Sequence, residues 1–152
     1  MHRHGCYPRY VKATGQEKFP VQRFLCPQCG GTVSVLPENR LPYRPLHVDR
    51  LQGAFDAQAG VNSGLDPPPE PVEAGCLQRA WTRFLTRVNG LTHAFGQMLP
   101  AGLRTGAHLW KELRRRVGSA EQILRFLAQC CNGSLLGNYV CLRPGGSGPG
   151  SG

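Results

Sequence analysis

The sequence predicts an α+β chain, with a small β unit built around paired cysteines in front and a helical region behind it. Three observations predict this. Residues 1–36 carry short alternating and β-branched runs on either side of Cys26-Pro27-Gln28-Cys29-Gly30-Gly31-Thr32. From Glu73 onward, apolar residues recur at helical spacing. Between them lies punctuation rich in Pro and Gly. The chain holds 20 Gly and 13 Pro in 152 residues, more than one compact core accommodates.

Tyr7 to Lys12 reads as a first strand, with a turn at Thr14-Gly15-Gln16. Lys18 to Leu25 reads as a second strand that sets Phe19, Val21 and Leu25 on one side. The cysteine knuckle follows, and then an alternating third strand from Thr32 to Leu36. Strand, turn, strand, knuckle, strand is the plan of a zinc ribbon, a unit with so little apolar core that it depends on its metal.

Cys26 and Cys29 are spaced for one tight turn to bring both sulfurs to one ion, with the Gly pair letting backbone amides point at them. A redox Cys-x-x-Cys opens a helix; a β-type run follows here, which favours metal. One knuckle supplies half of a tetrahedral set. His2, His4 and Cys6 alternate and would share one face of an extended strand. The expected zinc ligands are therefore Cys26, Cys29, His4 and Cys6. Cys76, Cys130, Cys131 and Cys141 lie on or near apolar helical faces and read as core or incidental thiols.

Leu36-Pro37 and Leu41 to Pro45 form a stiff Pro-rich connector over 37–46. A short amphipathic helix follows over 47–60, with Val48, Leu51, Ala54 and Phe55 apolar and Gly60 as its stop. A Pro-rich loop spans 61–75. The helical region covers 76–131. Its first helix extends from Glu73 to Asn89 with Leu77, Ala80, Trp81, Phe84, Leu85 and Val88 in one stripe. Leu91 to Leu99 and His108 to Val117 are further helices, and Ser119 with Gln122 marks a capping box opening the last, to about Cys131. A Gly/Ser-rich tail follows over 132–152, and its low-complexity end from Pro144 to Gly152 is expected to be disordered.

Val21 to Pro37, with His2-Arg3-His4-Gly5-Cys6-Tyr7-Pro8-Arg9 before it and Leu41-Pro42-Tyr43-Arg44 after it, resembles a bacterial zinc-ribbon family of unknown function. That family is itself similar to the N-terminal DNA-binding region of insertion-sequence transposases. The likeness covers roughly the first 45 residues, and the helical part only by pattern. It implies a zinc ribbon followed by a helix-turn-helix that binds DNA. Two departures stand out. The family's first C-P-x-C-G has no counterpart, because the chain begins just after its position, and Gly31 stands where a basic residue is usual.

Charge points the same way. The formal net charge is +9 and the pI about 9.7, which suits a polyanionic partner. Between Gly75 and Arg143 there are ten Lys and Arg against two Glu. Arg79, Arg83 and Arg87 recur every fourth residue with Gln78, Thr82 and Thr86 beside them. Such a face suits phosphates and base edges. The candidate nucleic-acid contacts are Arg79, Arg83, Arg87, Gln78, Arg114 and Arg115.

Other classes find little support. The three Asp (Asp49, Asp56 and Asp66) do not form a metal-dependent strand-transfer site, and no triad or phosphate-binding Gly loop occurs, so no enzyme and no small-molecule substrate are expected. No apolar run reaches the about 18 residues of a membrane span, and no apolar leader opens the chain. Seven Cys without a leader suggest a reducing, cytoplasmic setting. The expected function is DNA binding by a transposase-related protein lacking a catalytic domain. The alternatives are a protein-interaction adaptor or a degraded mobile-element remnant.

Overall fold

The structure is a computed structural model. It describes residues 1–10, 17–37, 40–41, 46–62, 64–131 and 133–137. The expected turn at Thr14-Gly15-Gln16, the Pro42 to Pro45 segment and the tail from residue 138 lie outside the described residues. The fold is mixed α and β, a three-stranded antiparallel sheet followed by helices. The chain divides into two compact units, Met1–Thr82 and Arg83–Gly152. No helix is long and apolar enough to cross a membrane among the described residues.

The first unit opens with the sheet, in the order β1 (His2–Tyr10), β2 (Lys18–Leu25), β3 (Thr32–Val35). β1 starts five residues earlier than the sequence predicts, because His2 to Tyr10 pairs along the whole of β2. The register opposes Tyr7 to Val21 and Arg9 to Phe19. Cross-strand partners share a face, so Tyr7, Arg9, Phe19, Val21 and Leu25 lie together, as the alternation of β2 predicts. Val21 is the fully buried member. On that face the Arg23 guanidinium stands 5.8 Å from the Tyr7 ring centre and donates to Thr32 Oγ1 at 2.9 Å.

α1 spans Val48–Ala59 and stops at Gly60, as expected. It buries Val48, Leu51, Phe55 and Ala59. Asp56, also buried, uses its backbone carbonyl to accept the Val61 amide at 2.7 Å, closing the helix end. α2 spans Pro71–Leu85, starting two residues before the predicted Glu73. Proline suits a first helical turn, whose amides have no intrahelical acceptor. In this unit Phe55 meets Trp81 edge-to-face, centroids 4.9 Å apart. Arg50 Nε and Nη2 reach the two oxygens of Glu73, each at 2.8 Å.

The second unit holds the end of α2, then α3 (Val88–Phe95), a 3-10 turn (Gly96–Met98), α4 (Gly106–Arg116) and α5 (Ala120–Cys130). Phe84 meets Trp110 edge-to-face at 5.9 Å, and Phe95 stacks on Phe126 at 5.0 Å. Leu91, Leu109, Leu113, Ile123, Leu127 and Leu135 are buried, as are Phe84, Phe95 and Trp110. The predicted capping box is complete. Gln122 donates its amide to Ser119 Oγ at 3.2 Å, and Ser119 donates its own to Gln122 Oε1 at 2.7 Å. α4 and α5 are joined by Val117-Gly118-Ser119, a short turn with Gly118 at φ +117°.

One expectation about this region is corrected. The predicted helix from Glu73 to Asn89 is two helices, broken after Leu85. There the Arg87 amide bonds to Phe84 O at 2.9 Å and Thr86 Oγ1 to Arg83 O at 2.7 Å, winding the chain into a tighter turn. The division of the chain into its two units falls inside α2, after Thr82. The aromatic partners explain this: Trp81 packs with Phe55, and Phe84, three residues later, packs with Trp110.

Candidate functional site

The knuckle forms as its spacing requires. Gly30 donates its amide to Cys26 O at 2.9 Å, and Cys26 donates its own to Gly31 O, also at 2.9 Å. These two bonds close the tight turn between β2 and β3. The turn aims the amides of Cys29 and Gln28 at the Cys26 sulfur, and the Cys29 thiol donates to it as well. Those hydrogen bonds, the Cys29 amide first, stabilise the thiolate and hold the Cys26 thiol below its ordinary pKa. Cys29 is exposed and Cys26 half-buried.

The other two expected ligands are not brought there. β1 carries a bulge between Arg3 and Gly5, so Arg3 opposes Phe24, Gly5 opposes Arg23, and His4 is the extra residue. Gly5 takes φ +127°, a backbone state open to glycine and strained for most other residues. One inserted residue reverses the alternation. His2, opposite Leu25, and Cys6, opposite Gln22, therefore fall on opposite faces of the sheet, not on the single face that alternation predicts. Both residues and His4 are exposed. No group of three or more His, Cys, Asp and Glu side chains converges among the described residues. The expected four-donor set of Cys26, Cys29, His4 and Cys6 is thus half assembled.

The candidate nucleic-acid contacts separate into two kinds. Gln78, Arg79 and Arg83 are exposed on α2. Arg79 Nη2 lies 3.2 Å from Cys76 Sγ, a contact with no charge to satisfy. Arg87 does not continue their line. It precedes α3, is half-buried, and its Nη2 donates to Ser134 O at 3.0 Å. Arg114, half-buried, donates from Nη1 to Gly118 O at 2.6 Å, capping a carbonyl beyond the end of α4. Arg115 is exposed but grips Glu112 through Nε at 3.2 Å and Nη2 at 2.7 Å, and Arg116 Nε joins at 2.8 Å. The two guanidiniums, Arg115 first, pull the Glu112 carboxyl down to about 2.

Charge is divided unevenly. Residues 1–82 hold nine Lys and Arg against seven Asp and Glu, whereas residues 83–152 hold nine against two. Both acidic residues of the second unit are taken by arginines of their own helices, Glu112 as above and Glu121 by Arg125 at 3.0 Å. Arg83, Arg104 and Lys111 remain exposed, with no acidic partner among the described residues. Arg104 is an exposed cation that sequence reasoning did not single out. It lies in the turn before α4, where no periodicity marks it, and the local lack of acid is its only signal.

The first unit also carries an open groove of about 250 Å³. Phe55, Leu65, Pro69, Leu77 and Trp81 line it, with Gln58 and Gln78 as polar contributors. Among the described residues, no titratable side chain lines it. No protein-family model matches the chain, and no curated protein or solved structure matches it either.

Proposed function

We propose that this chain binds nucleic acid, DNA first, through its basic second unit and performs no chemistry on it. One observation carries the reading: residues 83–152 hold nine cations against two carboxylates, and both carboxylates are consumed within their own helices. What remains outward is cationic, and a polyanion is the partner that draws most from it, since each neutralised phosphate releases condensed counterions. Arg83, Arg104 and Lys111 are the contacts this reading selects. The helix, short glycine turn and helix of α4 and α5 suit such a partner. The likeness of the first 45 residues to transposase-like zinc ribbons agrees with DNA as the polyanion.

The test is fluorescence anisotropy of a labelled duplex with the full chain and with an Arg83→Gln, Arg104→Gln, Lys111→Gln variant. Binding should weaken strongly in the variant, and neither protein should cut the duplex with Mg²⁺ present. A second reading, a protein-interaction adaptor, rests on the apolar groove beside Trp81. Equal binding of the duplex by both proteins would favour it.

A further inference from the structure

We infer that the Cys26–Cys29 knuckle is half of a zinc site whose other half is the same knuckle of a second copy of this chain. One ion would then join two chains through four sulfurs.

The inference starts from what the knuckle supplies and what it lacks. Its turn is closed by two backbone hydrogen bonds, so both thiols are held ready without the metal. Structural zinc takes four donors in a closed tetrahedron. Among the described residues, the register places the donors of β1. His2 opposes Leu25, beside Cys26, yet no group of three His, Cys, Asp and Glu side chains converges there. Cys6 opposes Gln22, four residues back along β2 from Cys26. At about 3.3 Å per residue that is about 13 Å, whereas sulfurs around one zinc lie about 4 Å apart. His4 is the bulged residue between the Phe24 and Arg23 pairings, two to three residues back. Cys76 lies on α2, where Arg79 contacts its sulfur.

The knuckle is open to a partner. Pro27, Gln28, Cys29 and Gly30 are all exposed. A two-fold axis through the metal turns one thiol pair into the other, which gives a closed, self-complementary dimer. β3, which follows the knuckle directly, is an edge strand. It sets Val33 and Val35 on one face with Phe24, and Val35 is 55 % exposed. A second copy would cover that apolar strip. Arg3 and Arg23 stand on the strands leading to the knuckle and would offset the excess negative charge of four thiolates around one dication.

The test uses the full chain, purified under a thiol-free reductant and titrated with zinc. Bound metal is counted by elemental analysis, and molar mass is measured by light scattering. The expected result is about one zinc per two chains, a dimer that a chelator returns to monomer, and X-ray absorption showing four sulfurs at about 2.3 Å. His4→Ala and Cys6→Ser should leave all of this unchanged, and Cys29→Ser should abolish it. One zinc per monomeric chain, nitrogen in the metal's first shell, loss of zinc in His4→Ala or Cys6→Ser, a dimer that survives chelation, or no zinc uptake by the reduced chain would each overturn it. The stoichiometry is read on the unaltered chain, so the result does not depend on any variant folding.

Discussion

Arg50 on α1 and Glu73 on α2 form a two-point ion pair, Nε to Oε1 and Nη2 to Oε2, both at 2.8 Å. A third donor of the same guanidinium, Nη1, reaches Pro67 O at 2.7 Å. One side chain thus ties α1 to α2 and to the Pro-rich segment between them. The Arg50 guanidinium is held above its ordinary pKa by the bond to Glu73. Both partners are about four-fifths buried, so solvent screens the pair less than a surface one. We predict a coupling of about 1–2 kcal/mol in a double-mutant cycle of Arg50→Ala and Glu73→Ala, read from urea unfolding. Additive single effects would show that the pair is only a solvated contact.

The chain's two tryptophans report on different units. Trp81→Ala removes the partner of Phe55, and Trp110→Ala removes the partner of Phe84. Each should cost its own unit about 3–5 kcal/mol, as large-to-small changes in a core do. Amide exchange should show protection lost first in α1 for Trp81→Ala, and first in α4 and α5 for Trp110→Ala. Loss of protection in the same segments for both variants would contradict the division after Thr82.

The turn between α4 and α5 depends on Gly118. A Cβ there would come within 2.1 Å of Gln122 Oε1, the atom that caps the Ser119 amide. Gly118→Ala therefore strains the backbone and displaces half of the capping box. It should destabilise the second unit more than Ser119→Ala, which forfeits about 1 kcal/mol of capping. Paired thermal melts check the order.

Glu112 sets a pH dependence. Its ordinary value is 4.5, and in the fold Arg115 and Arg116 lower it to about 2. A carboxylate with a depressed folded pKa contributes stability that is fully present above the unfolded value and is lost as the pH falls through the folded one. The stability difference between the unaltered chain and Glu112→Gln should therefore be constant above about pH 4.5 and vanish toward pH 2. High salt should shrink it at every pH, because the Arg115 and Arg116 side chains are open to solvent. A difference that persists below pH 2 would show that Glu112 acts through packing.

Much of this fold is legible in the sequence where one local signal decides. Ser119 and Gln122 mark the start of α5, Gly60 the end of α1, and the Cys26–Cys29 spacing the turn between β2 and β3. The break after Leu85 is not legible. Val88 continues the stripe of Leu77, Trp81 and Phe84 at helical spacing, although it belongs to the next helix, so the periodicity runs unbroken through the turn. The bulge at His4 is equally silent. Gly5 permits it, but Gly5 in an alternating run reads as an ordinary strand residue. In sequence Arg87 continues the stripe of Arg79 and Arg83, and Arg114 and Arg115 read as outward-facing. The partners of Arg87, Arg114 and Arg115, which are Ser134 O, Gly118 O and Glu112, become visible only once the chain is folded.

The central claim is that exposed cations of the second unit contact a nucleic-acid backbone. Salt dependence measures that most directly. The logarithm of the DNA association constant should fall linearly with the logarithm of salt concentration. Replacing Arg83, Arg104 and Lys111 together by Gln should lower that slope by up to about three units with the melting curve unchanged. An association constant and salt slope unchanged by the three replacements, or no salt dependence in the unaltered chain, would contradict the account.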